Sequence, residues 1–333
     1  MRFAIDAMGG DYAPREVVRG ALQARDGLPE DEVILVGDEK AVRAELDAAD
    51  ARLDRLRVVH ASQVVAMDET PVEAIRRKPD SSMRHAINLM VQGRADAAIS
   101  AGNTGAFVAA ATMIARRLPG VRRPGIAVVF PTFYGPVVLI DAGANVDSRP
   151  VHLFQYAAMA AIYAQKVLGV ADPRVGLLSI GEESAKGNEL ARQTRALLAK
   201  SPLRFRGNAE GRGLFNGQFD VVVCDGFVGN VVLKTVEAMA ENLFQVITLE
   251  MKKLDPAVAG RLMPVVGDLQ RKHDAAEYGG AILMGVAGVV VICHGNSGAR
   301  AIANSFRAAA TYARTGANQG IVESLAQMGD VGP

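Results

Sequence analysis

Tryptophan is absent from this chain, and only two cysteines occur, Cys224 and Cys293, neither in a CxxC pair nor in a Cys/His cluster of metal-ligand spacing. Their scarcity argues against a disulfide scaffold and a structural zinc site, and points to a reducing compartment. An excess of charge of either sign is missing too. Lys and Arg number 37 against 36 Asp and Glu, a formal net charge of +1, so no global field draws the protein toward nucleic acid or another polyanion. Any anionic partner has to be met by a local patch. The opening MRFAIDAMGGDYAP sets Asp6 and Asp11 where a secretory signal needs an unbroken apolar core, so secretion is not expected. The longest uncharged run, from Tyr278, holds Gly279, Gly280, Gly285, Gly288 and Gly295 and runs into HGNSG (294–298); it reads as a buried helical turn, a strand and a loop rather than a membrane span.

What is present is ample core material: 333 residues, half of them hydrophobic, enough to bury a core without covalent help. Short Val- and Ile-rich runs recur: FAID (3–6), VILV (33–36), AAIS (97–100), IAVVF (126–130), VVLID (137–141), VGLLSI (175–180), DVVVCD (220–225) and GVVVIC (288–293). They are near-continuous rather than alternating, as in strands covered on both faces. Stretches of helical spacing lie between them, such as Val17, Val18, Ala21, Leu22 and, later, Leu153, Tyr156, Ala157, Ala160, Tyr163. The order predicts a mainly parallel α/β sheet with helices on both sides. PTFYGP between IAVVF and VVLID predicts a hairpin and some antiparallel pairing. With no linker or low-complexity tract, residues 1–333 read as a single domain. Residues 236–276 stand apart as a helical protrusion: Met239, Leu243, Val246, Ile247, Met251 and Leu254 share one helical face, with interruptions expected at Pro256 and Pro264.

Chemistry is expected in the loops after the strands: SAGNTG (100–105), DAGANVDSRP (141–150), GEESAKGNE (181–189), DGFVGNVVLK (225–234) and HGNSGAR (294–300). In an open α/β sheet such loops gather at one edge. Their glycines let backbone amides approach an anion, and the following helix N-terminus adds donors and partial positive charge. Each loop alone is also an ordinary turn; five sharing the pattern point to phosphate or a phosphate-bearing ligand. GRGLFNG (211–217) lacks the dinucleotide spacing, no Walker loop exists, and no GxSxG elbow occurs, which disfavours NAD, ATP and a serine nucleophile. Lys186, in a Gly-flanked loop, is a cation suited to phosphate or a departing thiolate, with an i,i+4 pair to Glu182 as the alternative. His294 can donate to a phosphoryl or carbonyl oxygen, or cap its loop. Asp141, Asp147 and Asp225 can orient basic side chains or cap helices. Asn103, Asn145, Asn188 and Asn230 are neutral donors for an oxyanion, or turn formers. Cys224 and Cys293 sit inside apolar runs and read as core residues.

Seven collinear segments carry a resemblance: IDAMGGDYAP (5–14), MDETPVEAIRRKPDSSM (67–83), SAGNTGA (100–106), DAGANVDSRP (141–150), RVGLLSIGEESAKGNEL (174–190), VVVCDGFVGNVVLKT (221–235) and EYGGAILMG (277–285). Together they resemble the PlsX family of phosphate acyltransferases over nearly the whole chain. Departures are small: Thr70 stands where serine is usual, DSRP replaces DCKP, and HGNSGAR replaces HGSSNAK. The resemblance implies a three-layer α/β/α sandwich of the phosphotransacetylase and isocitrate-dehydrogenase type, with a protruding helical hairpin. It implies conversion of acyl-[acyl carrier protein] and inorganic phosphate to acyl phosphate for phospholipid synthesis, by a homodimer without metal, nucleotide or other cofactor. Phosphate is already an anionic nucleophile, so alignment with the thioester and stabilisation of the oxyanion suffice.

On these motifs the expected catalytic residues are Lys186, Asn188, His294 and Asp225. The expected phosphate or substrate contacts are Asp6, Gly9, Gly10, Ser100, Gly102, Asn103, Thr104, Gly105, Asn145, Gly187, Gly226, Gly229, Asn230 and Lys234. Acidic carrier protein would dock on Arg76, Arg77 and Lys78 or on Arg116, Arg117, Arg122 and Arg123. Leu262, Met263, Val265 and Val266 around Pro264 would form an apolar tip on the inner face of the cell membrane, near a membrane-bound glycerol-3-phosphate acyltransferase, or pack in the dimer interface. A cytoplasmic, peripherally membrane-associated protein that binds no nucleic acid is expected. The rival readings are a phosphotransacetylase using acyl-CoA and a non-catalytic membrane scaffold.

Overall fold

A computed structural model describes residues 1–254, 256–273 and 279–329. In chain order the elements are β1 (Arg2–Asp6), α1 (Arg15–Gly27), β2 (Glu32–Gly37), α2 (Glu39–Ala48), β3 (Leu56–His60), α3 (Pro71–Arg77), α4 (Ser82–Val91), β4 (Ala97–Ser100) and α5 (Thr104–Ala110), the last continued by a π turn over Ala111–Ala115. Then come β5 (Gly125–Phe130), β6 (Val137–Ile140), α6 (Pro150–Lys166), β7 (Val175–Leu178), α7 (Glu189–Leu198), β8 (Phe205–Ala209) and β9 (Val221–Val223). The chain closes with α8 (Gly226–Met251), α9 (Pro256–His273), β10 (Ala281–Met284), β11 (Val290–Ile292), α10 (Ala299–Arg314) and α11 (Ala317–Met328).

The strands form one eleven-stranded sheet in the order β3-β2-β1-β4-β11-β10-β5-β6-β9-β7-β8. Period-two geometry sends alternate residues of each strand to opposite faces. Phe3, Ile5, Val33 and Leu35 join one core under α1, α6 and α10, while Ala4, Ile34 and Val36 join another under α4 and α5. Both faces are therefore covered, which is why the runs are continuous rather than alternating, and the three-layer α/β expectation holds. Each Val, Leu or Ile buried this way contributes about 1.5–3 kcal/mol.

All eight expected runs are strands, and PTFYGP closes the antiparallel β5–β6 hairpin. Three strands were not expected. β3 and β8 are sheet edges with partly exposed, interrupted patterns. β10, read as a helical turn, pairs antiparallel with both β11 and β5; its four apolar residues are too few to show a period.

One topological consequence overturns an expectation. β11 runs parallel to β4, β10 opposes β11, β5 opposes β10, and β6 opposes β5. β9, β7 and β8 then follow β6 in parallel. Three reversals in succession turn the second half of the sheet upside down. The loops after β1, β4 and β11 open at one edge, and those after β6, β7 and β9 open at the other. The five glycine loops do not share an edge.

The helical hairpin is present as α8 and α9, which pack on each other, with α8 turning over at residues 252–254; Asp255 and 274–276 of the expected span, like Glu277 and Tyr278, lie outside the described residues. Pro256 opens α9, as anticipated, but Pro264 does not interrupt it. The carbonyl that Pro264 leaves without an amide partner belongs to exposed Gly260, where water satisfies it at little cost. Leu262, Met263 and Val265 are exposed and Val266 half-buried, but they lie mid-helix, two to three turns from the hairpin's end, and form no tip.

Candidate active site

At the first edge three neighbouring strands end in interlocked loops. Asp6 closes β1 almost fully buried; its carboxylate accepts from Ser100 Oγ at 2.7 Å and from the Met8 amide at 3.1 Å. Burial raises its pKa, opposed by hydrogen bonds from Ser82, Ser100 and the Met8 and Gly9 amides. Ser100 Oγ in turn accepts from the Gly102 amide at 3.0 Å. A side chain at Gly9 would stand 2.6 Å from Asp6 Oδ2 and 2.7 Å from the Gly102 nitrogen, so only glycine permits this approach. Gly10 takes a positive φ of 107°, and the Asp11 amide donates to the Gly295 carbonyl at 2.7 Å. Loops 7–14, 101–103 and 293–298 are thus tied into one loop cluster. Thr104 is exposed at the start of α5, and Gly105 lies against Pro71.

The opposite edge is organised by Asp141, wholly buried after β6. Its Oδ1 accepts from the amides of Ile126, Gly143 and Ala144, and its Oδ2 from the amide and side chain of Asn145, all at 2.8–3.1 Å. Burial again raises the pKa against these bonds. Asp225 caps α8 by accepting from the Val228 amide at 2.9 Å. Cβ atoms at Gly226 and Gly229 would stand 2.6 Å from the Asn145 oxygen and 1.9 Å from the Asp141 oxygen. Glycine there lets the first turn of α8 seat directly on the Asp141 loop. On the same edge Asn188 caps α7, accepting from the Ala191 amide at 2.9 Å; Gly187 takes a φ of 107° beside it, and Lys186 is exposed. Glu182 lies 3.9 Å from Arg212 rather than pairing with Lys186.

Helix α8 joins the two edges. Eight residues, about 12 Å of helix, separate Gly229 at the Asp141 loop from Glu237, which meets the loop after β11. Lys234 Nζ lies 3.0 Å from Glu237 Oε2 and 3.1 Å from His294 Nδ1. Glu237 Oε1 lies 2.9 Å from His294 Nε2, an ion-pair distance without hydrogen-bond alignment. Glu237 is half-buried; burial alone would raise its pKa, but His294 and Lys234 bring it below the usual carboxylate value. Asn230, Lys234 and Glu237, at i, i+4 and i+7, share one helix face, and a shallow groove of about 610 Å³ runs along α8 from Asn230 past Lys234 to Met239 and Asn242.

The four candidate asparagines now separate. The Asn103 side chain caps α5 and donates to the carbonyls of Ala66, Met67 and Glu69. Asn145 binds Pro124, Asp141 and Tyr156, and Asn188 is a cap. Asn230 alone of the four is exposed with no hydrogen-bond partner among the described residues. His294 has both ring nitrogens occupied by α8, so in this arrangement it holds Lys234 rather than donating outward. Cys224 and Cys293 are buried, and burial pushes both thiols up, Cys293 to about 11; neither is a nucleophile. Glu237 had escaped the sequence reading, although its spacing of three from Lys234 was visible. Among the described residues no His/Cys/Asp/Glu group could hold a metal ion.

Residues 1–320 match the sequence profile of the family described as fatty acid synthesis protein. The chain belongs to that family, the PlsX phosphate acyltransferases. It is 48% identical over 326 residues to a phosphate acyltransferase of Desulforamulus reducens, covering 98% of this chain and 97% of that protein. A phosphate acyltransferase of Pelobacter propionicus is 47% identical over 332 residues, covering 98% and 95%. Among solved structures, a phosphotransacetylase from Streptococcus pyogenes superposes with a TM-score of 0.67 at 18% identity, over 95% of this chain and 94% of that one, a likeness of fold.

The two basic clusters also part. Arg76 and Arg77 are exposed on α3, with Arg77 2.5 Å from Glu73, and Lys78 binds Glu69 and the Val64 carbonyl. α3 packs on α5, the helix that follows β4 at the first edge. Arg116, Arg117 and Arg123 are exposed and Arg122 half-buried before β5, at the opposite edge, where the Arg117 side chain donates to the Arg122 carbonyl.

Proposed function

We propose that this phosphate acyltransferase moves a long-chain acyl group from acyl carrier protein to inorganic phosphate, and that the acyl phosphate feeds phospholipid synthesis. The observation that carries the reading is the meeting of Lys234, on α8, with His294 of the β11 loop, which the Asp11–Gly295 hydrogen bond ties to the β1 loop. Phosphate enters between Lys234 and these loops; the Gly10 and Gly102 region supplies close backbone approach, and the Lys234 ammonium supplies charge. Asn230, one turn back, is placed to donate to the thioester oxygen as it becomes an oxyanion. A phosphate oxygen forms the new bond to the acyl carbon, the carbon–sulfur bond breaks, and the thiolate leaves with the carrier protein. Residue nucleophiles, metals and cofactors are not needed for this step.

Arg76 and Arg77, exposed on α3 at the first edge, favour that edge for docking the acidic carrier protein. The exposed apolar residues of α8 and α9, among them Met239, Leu243, Leu249, Leu262 and Val265, make a face too extensive for an isolated monomer. It supports a homodimer through the hairpin, with the rest of the face against the membrane surface, where an acyltransferase acting on glycerol 3-phosphate would receive the product. No helix among the described residues is long and apolar enough to cross a membrane, so such contact is peripheral, from the cytoplasmic side.

The deciding assay supplies phosphate with either palmitoyl carrier protein or palmitoyl-CoA and traps acyl phosphate as its hydroxamate. Product from the carrier-protein thioester supports the proposal. Product from the CoA thioester alone would make the protein a phosphotransacetylase, and product from neither would leave a scaffold.

A further inference from the structure

The contact of Lys234, Glu237 and His294 has a direction built into it. Side-chain exposure is 54% for Lys234 and 42% for His294, but 20% for Glu237. The carboxylate is therefore the most covered of the three, while the imidazole is more open and the ammonium lines the groove. An ammonium has donors only, so the His294 Nδ1 that faces it at 3.1 Å must carry the lone pair. The ring proton is then on Nε2, the nitrogen 2.9 Å from Glu237 Oε1. Protonating Nδ1 as well would set two cations against each other. Other charged groups near His294 are Asp11, whose carboxylate lies beside Gly295, and Glu16, which accepts from the Ala299 amide at 3.0 Å and pairs with Arg15 and Arg19.

We infer that Glu237 is a positioning residue for phosphate transfer: it holds the Lys234 ammonium against the loop after β11 and keeps His294 as the neutral Nε2–H imidazole whose Nδ1 receives that ammonium. A free lysine has four rotatable bonds and no reason to keep one direction; here two partners on different elements define it. Phosphate, arriving from the open side, takes over a donor of Lys234, while the carboxylate stays with the imidazole. Glu237 itself never meets phosphate, because two anions there would repel. The inference rests on the acyltransferase reading above.

Glu237→Gln keeps the shape and removes the charge. It is expected to lower kcat about tenfold while phosphate KM stays level or falls, since the site becomes more positive. Glu237→Asp, which keeps the charge, should return part of the lost kcat. A purely structural glutamate would lower the amount of active enzyme without changing kcat per folded molecule, and an unchanged kcat in a folded Glu237→Gln protein overturns the inference. A second measurement does not depend on turnover: long-range proton–nitrogen spectra, with His294 assigned by loss of its signal in His294→Gln. The wild type should show Nε2–H and Glu237→Gln a tautomer mixture; Nδ1–H in the wild type, or identical spectra, overturns it. If the wild type makes no acyl phosphate but shows Nε2–H lost in Glu237→Gln, the functional reading fails while the positioning geometry stands.

Discussion

Asp6 and Asp141 do the same structural work at opposite edges of one sheet, yet only one of them borders open chemistry. Each is a buried carboxylate at a strand end that gathers loop donors. Around Asp141 the gathering is complete: five donors converge on it, and α8 seats its glycines on the loop it organises. Around Asp6 the side chains are equally occupied, but its loop is tied through the Asp11–Gly295 bond to the loop whose His294 meets the exposed Lys234. The difference teaches that a glycine-rich loop after a strand is not in itself a ligand site. What matters is whether an exposed charged side chain from another element meets it.

The comparison breaks most visibly at the two aspartates. Asp141→Ala leaves four backbone amides without their acceptor, that of Ile126 fully buried, and chemical denaturation should show a loss of about 3–5 kcal/mol. Asp6→Ala orphans fewer groups, so its stability loss should be smaller while acyl-phosphate formation falls about 100-fold or more through disordering of the loops after β1 and β4. Equal stability losses with equal residual activities would erase the distinction drawn here.

Next in size are the lysines. Lys234→Met should lower kcat/KM for phosphate by about 100-fold, and Lys186→Met by less than about threefold. The reverse order would move the phosphate site to the loop after β7 and restore the opposite edge as the chemical one.

The smallest effect is a pH dependence. The folded-state pKa of Glu237 lies below the usual 4.5, so its ion pairing adds stability that is present above that value and lost as pH falls through the depressed one. Wild type should exceed Glu237→Gln by about 1 kcal/mol in urea unfolding near pH 7, with the gap closing below pH 4.5. A gap that persists unchanged at pH 3 would mean that the contact contributes no ionic stabilisation.

Much of the fold was legible because burial on both faces writes itself into a sequence as continuous Val and Ile runs. The helical hairpin was legible because nothing in residues 236–273 alternates. The PTFYGP hairpin even contained the clue to the split edges, since an antiparallel partner must end where its neighbour begins. β10 was the missing part: four apolar residues beside glycines at 279, 280 and 285 have no period, and only pairing with β5 and β11 made them a strand. The candidate site was legible as residue types but not as an assembly. Nothing local distinguishes Asn103, whose amide ties down residues 66–69, from Asn230, whose amide is open.

By itself the sequence determined the family, the layered α/β class, the core runs, the burial of both cysteines and the glycine positions, because each rests on short-range pattern or on motifs kept intact along the chain. Only the tertiary structure decided which loops share an edge, which asparagine is available, and that Lys234, Glu237 and His294 meet. Those outcomes depend on strand direction across three successive reversals and on a helix that spans the sheet, and such long-range geometry leaves no mark on neighbouring residues.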